Sequence, residues 1–174
     1  MSVPEFEEMV NRRARTLVDE HLSDQKWPAA ISAGADLIRA DWNEDENRWN
    51  RTNFTFDRAI SELQAWVPNY VAHLRSGGHD GKVPAEQSNQ PSVVVSEVQP
   101  NSGNGFAYVL LTNPSNAESI DISGWAFDGL GTIANGTVVL PGATVAVTND
   151  DAAFQAAKPG FTGVRAFLLS LIHI

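Results

Sequence analysis

Three runs decide the fold: Ser92-Val93-Val94-Val95-Ser96-Glu97-Val98, then Phe106-Ala107-Tyr108-Val109-Leu110-Leu111-Thr112-Asn113-Pro114, then Ile120-Asp121-Ile122-Ser123-Gly124-Trp125-Ala126-Phe127. They are short, rich in Val, Ile, Tyr and Phe, and separated by Gly, Pro, Asn and Ser, which is the composition of strands and turns. The second run is apolar on both faces near its middle, so both faces are expected to be covered, as in a sandwich interior. Trp125 is the largest apolar side chain of this half. It is expected in the core between sheets, with Gly124 permitting close backbone approach.

Further on, Asn135-Gly136 stands between Thr132-Ile133-Ala134 and Thr137-Val138-Val139-Leu140, a signal for a hairpin with a primed turn. Gln99–Gly105 and Asn113-Pro114-Ser115-Asn116 read as turns. Pro141-Gly142 precedes a strand over Ala143–Thr148, and Asn149-Asp150-Asp151 caps a short helix through Ala157. A strand with Ser-Glu, a strand ending Thr-Asn-Pro and the run Ile-Asp-Ile-Ser-Gly-Trp together resemble the lamin-tail domain (LTD) family. The resemblance covers residues 92–168, including Leu140-Pro141-Gly142 and Asn149–Phe154. It implies an immunoglobulin-like β-sandwich with no chemistry of its own. Two departures stand out. Family members commonly carry an acid in the second strand, where this chain has Val109-Leu110-Leu111. They also continue into a further strand pair where this chain has Leu169-Ser170-Leu171-Ile172-His173-Ile174, so the sandwich is expected to be truncated. Residues 169–174 are similar to a translated sequencing-library adapter; the plain alternative makes Phe167-Leu168-Leu169 a last strand.

The first half has a different character. Residues 1–82 hold 14 Asp/Glu and 10 Lys/Arg, leaving 7 and 2 of the chain's 21 and 12 for residues 83–174. Ser2-Val3-Pro4-Glu5 reads as a capping box. Phe6, Met9, Val10, Leu17, Val18 and Leu22 then mark one helical face. A second helix begins near Pro28, with the stripe Ile31, Ala35, Ile38, Trp42 and Trp49. A third carries Phe56, Ile60, Leu63, Val67, Tyr70 and Leu74 and ends at Gly77-Gly78. Pro68 removes the bond to the Gln64 carbonyl and is expected to bend it. These stripes predict a three-helix bundle-like segment over 1–76 around Trp42, Trp49 and Trp66. Pro4-Glu5-Phe6, Asp45-Glu46-Asn47-Arg48-Trp49 and Leu63-Gln64-Ala65-Trp66-Val67-Pro68-Asn69-Tyr70 are similar to the C-terminal end of CotH-type (spore-coat protein H) kinase domains. That likeness implies a kinase whose nucleotide- and metal-binding residues precede Met1, and a setting in secreted bacterial proteins, where a lamin-tail domain often follows. Family patterns often have an arginine where Pro68-Asn69-Tyr70 stands here.

Residues 77–91, rich in Gly, Pro and amides, read as a flexible linker between the two parts. The fold class is thus α+β in two parts, a helical segment followed by the sandwich at 92–168. Net charge is −9, which repels polyanions, and there is no cysteine to build a disulfide or thiolate zinc site. No signal peptide and no apolar span long enough for a bilayer are visible.

No residue emerges as catalytic, cofactor-binding or metal-binding. Asp41-Trp42-Asn43-Glu44-Asp45-Glu46 imitates the start of an EF-hand, but Asn47 and Thr52 replace its glycine and closing glutamate, so a solvated helical face is the better reading. His21, His73, His79 and His173 lack ligand spacing. Gly103-Asn104-Gly105 is a turn and not a phosphate cradle. Sequons at Asn50, Asn53 and Asn135 matter only in a secreted eukaryotic chain. Trp42, Trp49, Trp66 and Trp125 suit a carbohydrate platform less well than core packing. Lys158 and Arg165 alone among residues 83–174 cannot neutralise a phosphate backbone, so nucleic acid is not an expected partner. The expected function is a non-catalytic binding or adhesion module of a secreted or cell-surface bacterial protein, without cofactor or membrane insertion, its partner a protein or a cell-surface polysaccharide. The alternatives are the inert downstream part of a CotH-like kinase and a structural spacer or assembly domain.

Overall fold

The structure, a computed structural model, describes residues 3–22, 26–49, 55–78, 80–100, 105–127 and 131–169. It is α+β, with three helices ahead of a β-rich part. The chain falls into two compact units, Ala14–Glu86 and Met1–Arg13 with Gln87–Ile174.

Helices α1 (Val3–His21), α2 (Trp27–Trp49) and α3 (Phe56–Arg75) form where the apolar periodicity places them. The Thr55 hydroxyl caps α3 by accepting the Arg58 N–H, and Gly77 and Gly78 end it in positive-φ conformations. α3 continues through Pro68 to Arg75, and the Asn69 amide donates to the Ala65 carbonyl beside it. α2 and α3 make a hairpin closed by Trp42 against Phe56, rings 5.5 Å apart, with Arg39 over the Phe56 ring and bonded to Asp57.

The expected aromatic centre is corrected. Trp49 and Trp66 are 64% and 55% exposed. Trp42 is the indole that meets the partner helix, at Phe56, whereas Trp49 is the last residue of α2. Trp66 instead stacks on Tyr70, one turn along, at 4.6 Å. The apolar stripe of α1 is also largely outward: Phe6, Val10 and Leu17 are exposed, while Arg12, Arg15 and Val18 are buried. Arg15 explains part of this, donating to the Arg75 and Pro84 carbonyls while bonded to Asp19 at 2.7 Å. A guanidinium thereby supplies donors to the C-terminal end of α3, where carbonyls lack helical partners.

In the β-rich unit, β1 (Val94–Gln99), β2 (Tyr108–Thr112), β4 (Ala126–Phe127), β5 (Gly131–Ile133), β7 (Thr144–Thr148) and β8 (Val164–Leu169) form a six-stranded sheet in the order β1-β2-β7-β8-β5-β4. β3 (Ile120–Asp121) and β6 (Val138–Val139) form a second, two-stranded sheet. Pairing is antiparallel except between β7 and β8, which run parallel and are joined through helix α4 (Asp151–Ala157). The plain reading of Phe167-Leu168-Leu169 as strand holds.

β2 is buried on both faces, as its composition demands. On one side Val109 and Leu111 join Val145, Val147 and Ile133 against Ile120, Ile122 and Val139. On the other, Tyr108, Leu110 and Ala146 pack under Phe154 of α4, whose ring meets Tyr108 and Phe161 edge-on at 5.1 and 5.2 Å. Trp125 is half-buried at the margin of the first core and does not form its centre. Aliphatic residues from both sheets fill the middle. The Asn135-Gly136 hairpin is likewise corrected. β5 pairs with β4 and β8, whereas β6 pairs with β3, so this turn carries the chain from one sheet to the other. The Ser123 hydroxyl accepts the Gly136 and Thr137 N–H groups, and the Ile122 N–H bonds the Thr137 carbonyl, which draws the chain away from β5.

Candidate binding cleft

Asn113 is the first fixed point. It is fully buried, and its amide nitrogen donates to the Glu118 and Val139 carbonyls while its oxygen accepts the Ser115 N–H. Its own N–H and carbonyl bond Ala143 and Gly142. Every polar group of this residue is thereby paired, as burial requires. Ser115 then takes the N–H groups of Ala117 and Glu118 on its hydroxyl oxygen, folding 115–118 into a tight loop.

Asp121 is the second. Gln87 bonds both its N–H and its carbonyl, at 2.7 and 3.0 Å, as a neighbouring strand would. The edge of β3 is therefore occupied at this residue and shielded from further pairing. The buried Asp121 carboxylate accepts the Ser123 N–H and pairs with Arg13 at 3.1 Å, and Ser119 donates to Glu8. Together these contacts hold segment 87–92, loop 115–120 and the first turns of α1 in one arrangement.

Between them lies a cleft of about 300 Å³. Arg12, only 3% exposed, lines it together with Ser88, Gln90, Ser92, Ser115 and Glu118; Pro91 and Ile120 supply apolar wall. Ser88 accepts the Gln90 N–H, so its hydroxyl proton points elsewhere, as does that of Ser115. The lining is thus rich in hydroxyl and amide groups, with one guanidinium and one carboxylate among them. A wider groove of about 640 Å³ runs past Leu140, Ala143, Thr144, Phe161 and Val164, where Glu5 is the lining residue with a charged side chain among those described.

The clearest perturbed titrations lie elsewhere, where β1 meets β2. Tyr108 donates to Glu97, and Lys158 bonds the same carboxylate at 2.8 Å. The Lys158 and then the Tyr108 hydrogen bond hold Glu97 below its ordinary value, while the bond to Glu97 raises both Lys158 and Tyr108. All three move away from neutrality. A general acid or base needs the opposite, a pKa brought towards the working pH, so this trio is a clamp.

The residues weighed from sequence scatter. Asp41 to Glu46 lie within α2 and not in a loop, which removes the EF-hand geometry. His21 and His73 sit near the ends of different helices, and Asn135 is in the inter-sheet turn. Among the described residues, no three His, Cys, Asp or Glu side chains come together as a metal site would require. The Ser2 cap, Asn50, Asn53, His79, the Gly103-Asn104 turn and His173 lie outside the described residues. Sequence reasoning missed Arg12, Gln87, Ser115 and Ser119. Gln87-Ser88-Asn89-Gln90-Pro91-Ser92 has the composition of a linker, and no local pattern reveals that the first turns of α1 face it.

Residues 86–167 match the model of the Lamin Tail Domain family, an immunoglobulin-like family that is not catalytic. No curated protein and no solved structure matches the chain. Among the described residues, no helix is long and apolar enough to cross a membrane.

Proposed function

We propose that the β-rich unit is a non-catalytic binding module whose ligand enters the Arg12–Ser92–Glu118 cleft, and that it serves adhesion in a secreted or cell-surface bacterial protein. The observation that carries this reading is the cleft itself. It combines polar side chains with a buried guanidinium on a frame fixed by Asn113 and Asp121, while the shifts at Glu97, Tyr108 and Lys158 point away from acid–base chemistry. The acidic balance disfavours nucleic acid. Immobilised polysaccharides, cell-wall material and surface proteins are the test, each presented to the full chain and to Ser92→Trp, which plugs the cleft from an exposed position. Binding lost in the variant at unchanged melting temperature is expected; equal binding by both chains contradicts the reading.

A second reading treats the helical part as the end of a CotH-like kinase domain, with the catalytic part upstream. The exposure of Leu37, Ile38, Trp49, Leu63 and Trp66 favours a larger apolar contact for α2 and α3. Sequencing the locus upstream of Met1 tests it: an open reading frame lacking any kinase-like segment removes this alternative.

A further inference from the structure

Resting on the binding-module reading, we infer that the cleft takes the end of a neutral, hydroxyl-rich saccharide. Each sugar hydroxyl both donates and accepts, so adjacent hydroxyls match a lining in which donors and one carboxylate stand side by side. Ser88, Ser92 and Ser115 bring hydroxyls, Gln90 an amide and Glu118 a carboxylate. Pro91 and Ile120 give the apolar wall that the C–H face of a pyranose needs.

Charge selects among oxygen-rich ligands. Glu118 offsets the Arg12 charge within the cleft, and the chain carries a net −9, so a uronate or phosphate polymer gains no net local attraction and is repelled at long range. Size narrows the choice further. About 300 Å³ is at the small end of ligand pockets, which suits a terminal sugar more than the middle of a chain. The frame is preorganised as well. The two Gln87–Asp121 bonds and the Asn113 amide fix both walls before any ligand arrives, so little ordering remains to oppose binding.

The experiment is a titration of the full, isotope-labelled chain followed through its amide resonances. The probes are cellotetraose and mannotetraose as neutral saccharides, tri-galacturonate as an anionic one, and an unrelated soluble peptide library as a non-saccharide. Shifts confined to residues 88–92 and 115–120, produced by a neutral saccharide and indifferent to salt, are expected. Gln90→Ala and Ser92→Ala should each weaken that binding by about five- to tenfold, the loss of one hydrogen bond apiece. Glu118→Gln, which keeps an acceptor but removes the charge, should retain neutral binding and admit tri-galacturonate.

Tri-galacturonate bound more tightly than either neutral sugar by the unaltered chain overturns the ligand class and leaves the module standing. Peptide binding in the cleft with no saccharide binding does the same. Saccharide shifts that persist in Ser92→Trp overturn the site. No shift at the cleft from any probe counts against both the ligand class and the module reading.

Discussion

Asn113 shows how much of this fold rests on single polar side chains. Replacing it with Ala strands the Glu118 and Val139 carbonyls and the Ser115 N–H, so a loss of roughly 2–4 kcal/mol in urea unfolding is expected. A loss near zero would mean the loop does not depend on it. Gly163 is required for space: a Cβ there would stand 2.3 Å from the Thr144 carbonyl and 2.5 Å from the Phe161 ring. Gly163→Ala should therefore cost about 1–3 kcal/mol by overpacking, with a matching drop in melting temperature. The Glu97 clamp makes a prediction about pH. Because Glu97 is depressed, its contribution is present above the ordinary 4.5 and is lost as pH falls below it. Tyr108 and Lys158 are raised, so theirs is complete below 10.0 and 10.5 and is lost as pH rises past them. Melting temperature against pH should fall off on both sides, and Glu97→Gln should flatten the acid limb. An unchanged limb would show that the clamp adds nothing. None of these residues was legible as an anchor, since Asn-Pro, Gly and a surface Glu carry the same local signal whether they are buried hubs or ordinary turns.

Among the elements, periodicity was informative about existence and less so about partners. The helices formed where the stripes placed them, yet the stripe of α1 faces outward at Phe6 and Val10, and two of the three indoles expected inside are exposed. A stripe shows that one face is apolar. What covers that face is decided by elements far away in sequence. Phe56→Ala, which empties the contact with Trp42, should destabilise the chain by about 3–5 kcal/mol, whereas Trp66→Ala should change stability by less than about 1 kcal/mol. Comparable losses from both would restore the Trp-centred bundle. In the β-rich part, the doubly apolar β2 foretold two covered faces. That α4 would cover the second, through Phe154, was not readable from a seven-residue helix, nor was the parallel pairing of β7 with β8. Asn-Gly signalled a turn correctly and a hairpin wrongly, because Ser123 redirects the strand that follows.

Taken whole, the β-rich unit is a sheet sealed on one side by a short second sheet and on the other by a helix, with a polar cleft beside the junction of β3 and loop 115–120. Its class was legible because strand composition and a family pattern agreed over nearly the same residues. The cleft was not, because its walls come from three segments that only the tertiary fold brings together. β2 and β7, buried on both faces, should be the most stable part of the unit, whereas β1 has an open edge and exposed Val94, Val95 and Val98. Native-state hydrogen exchange on the full chain reads this out directly. Amides of Tyr108–Thr112 and Thr144–Thr148 should exchange slowest in the β-rich unit and together, with the amides of β1 that face the open edge far ahead of them. Faster exchange in β2 and β7 than in β1, or independent exchange of β2 and β7, would contradict a unit built on one doubly covered sheet.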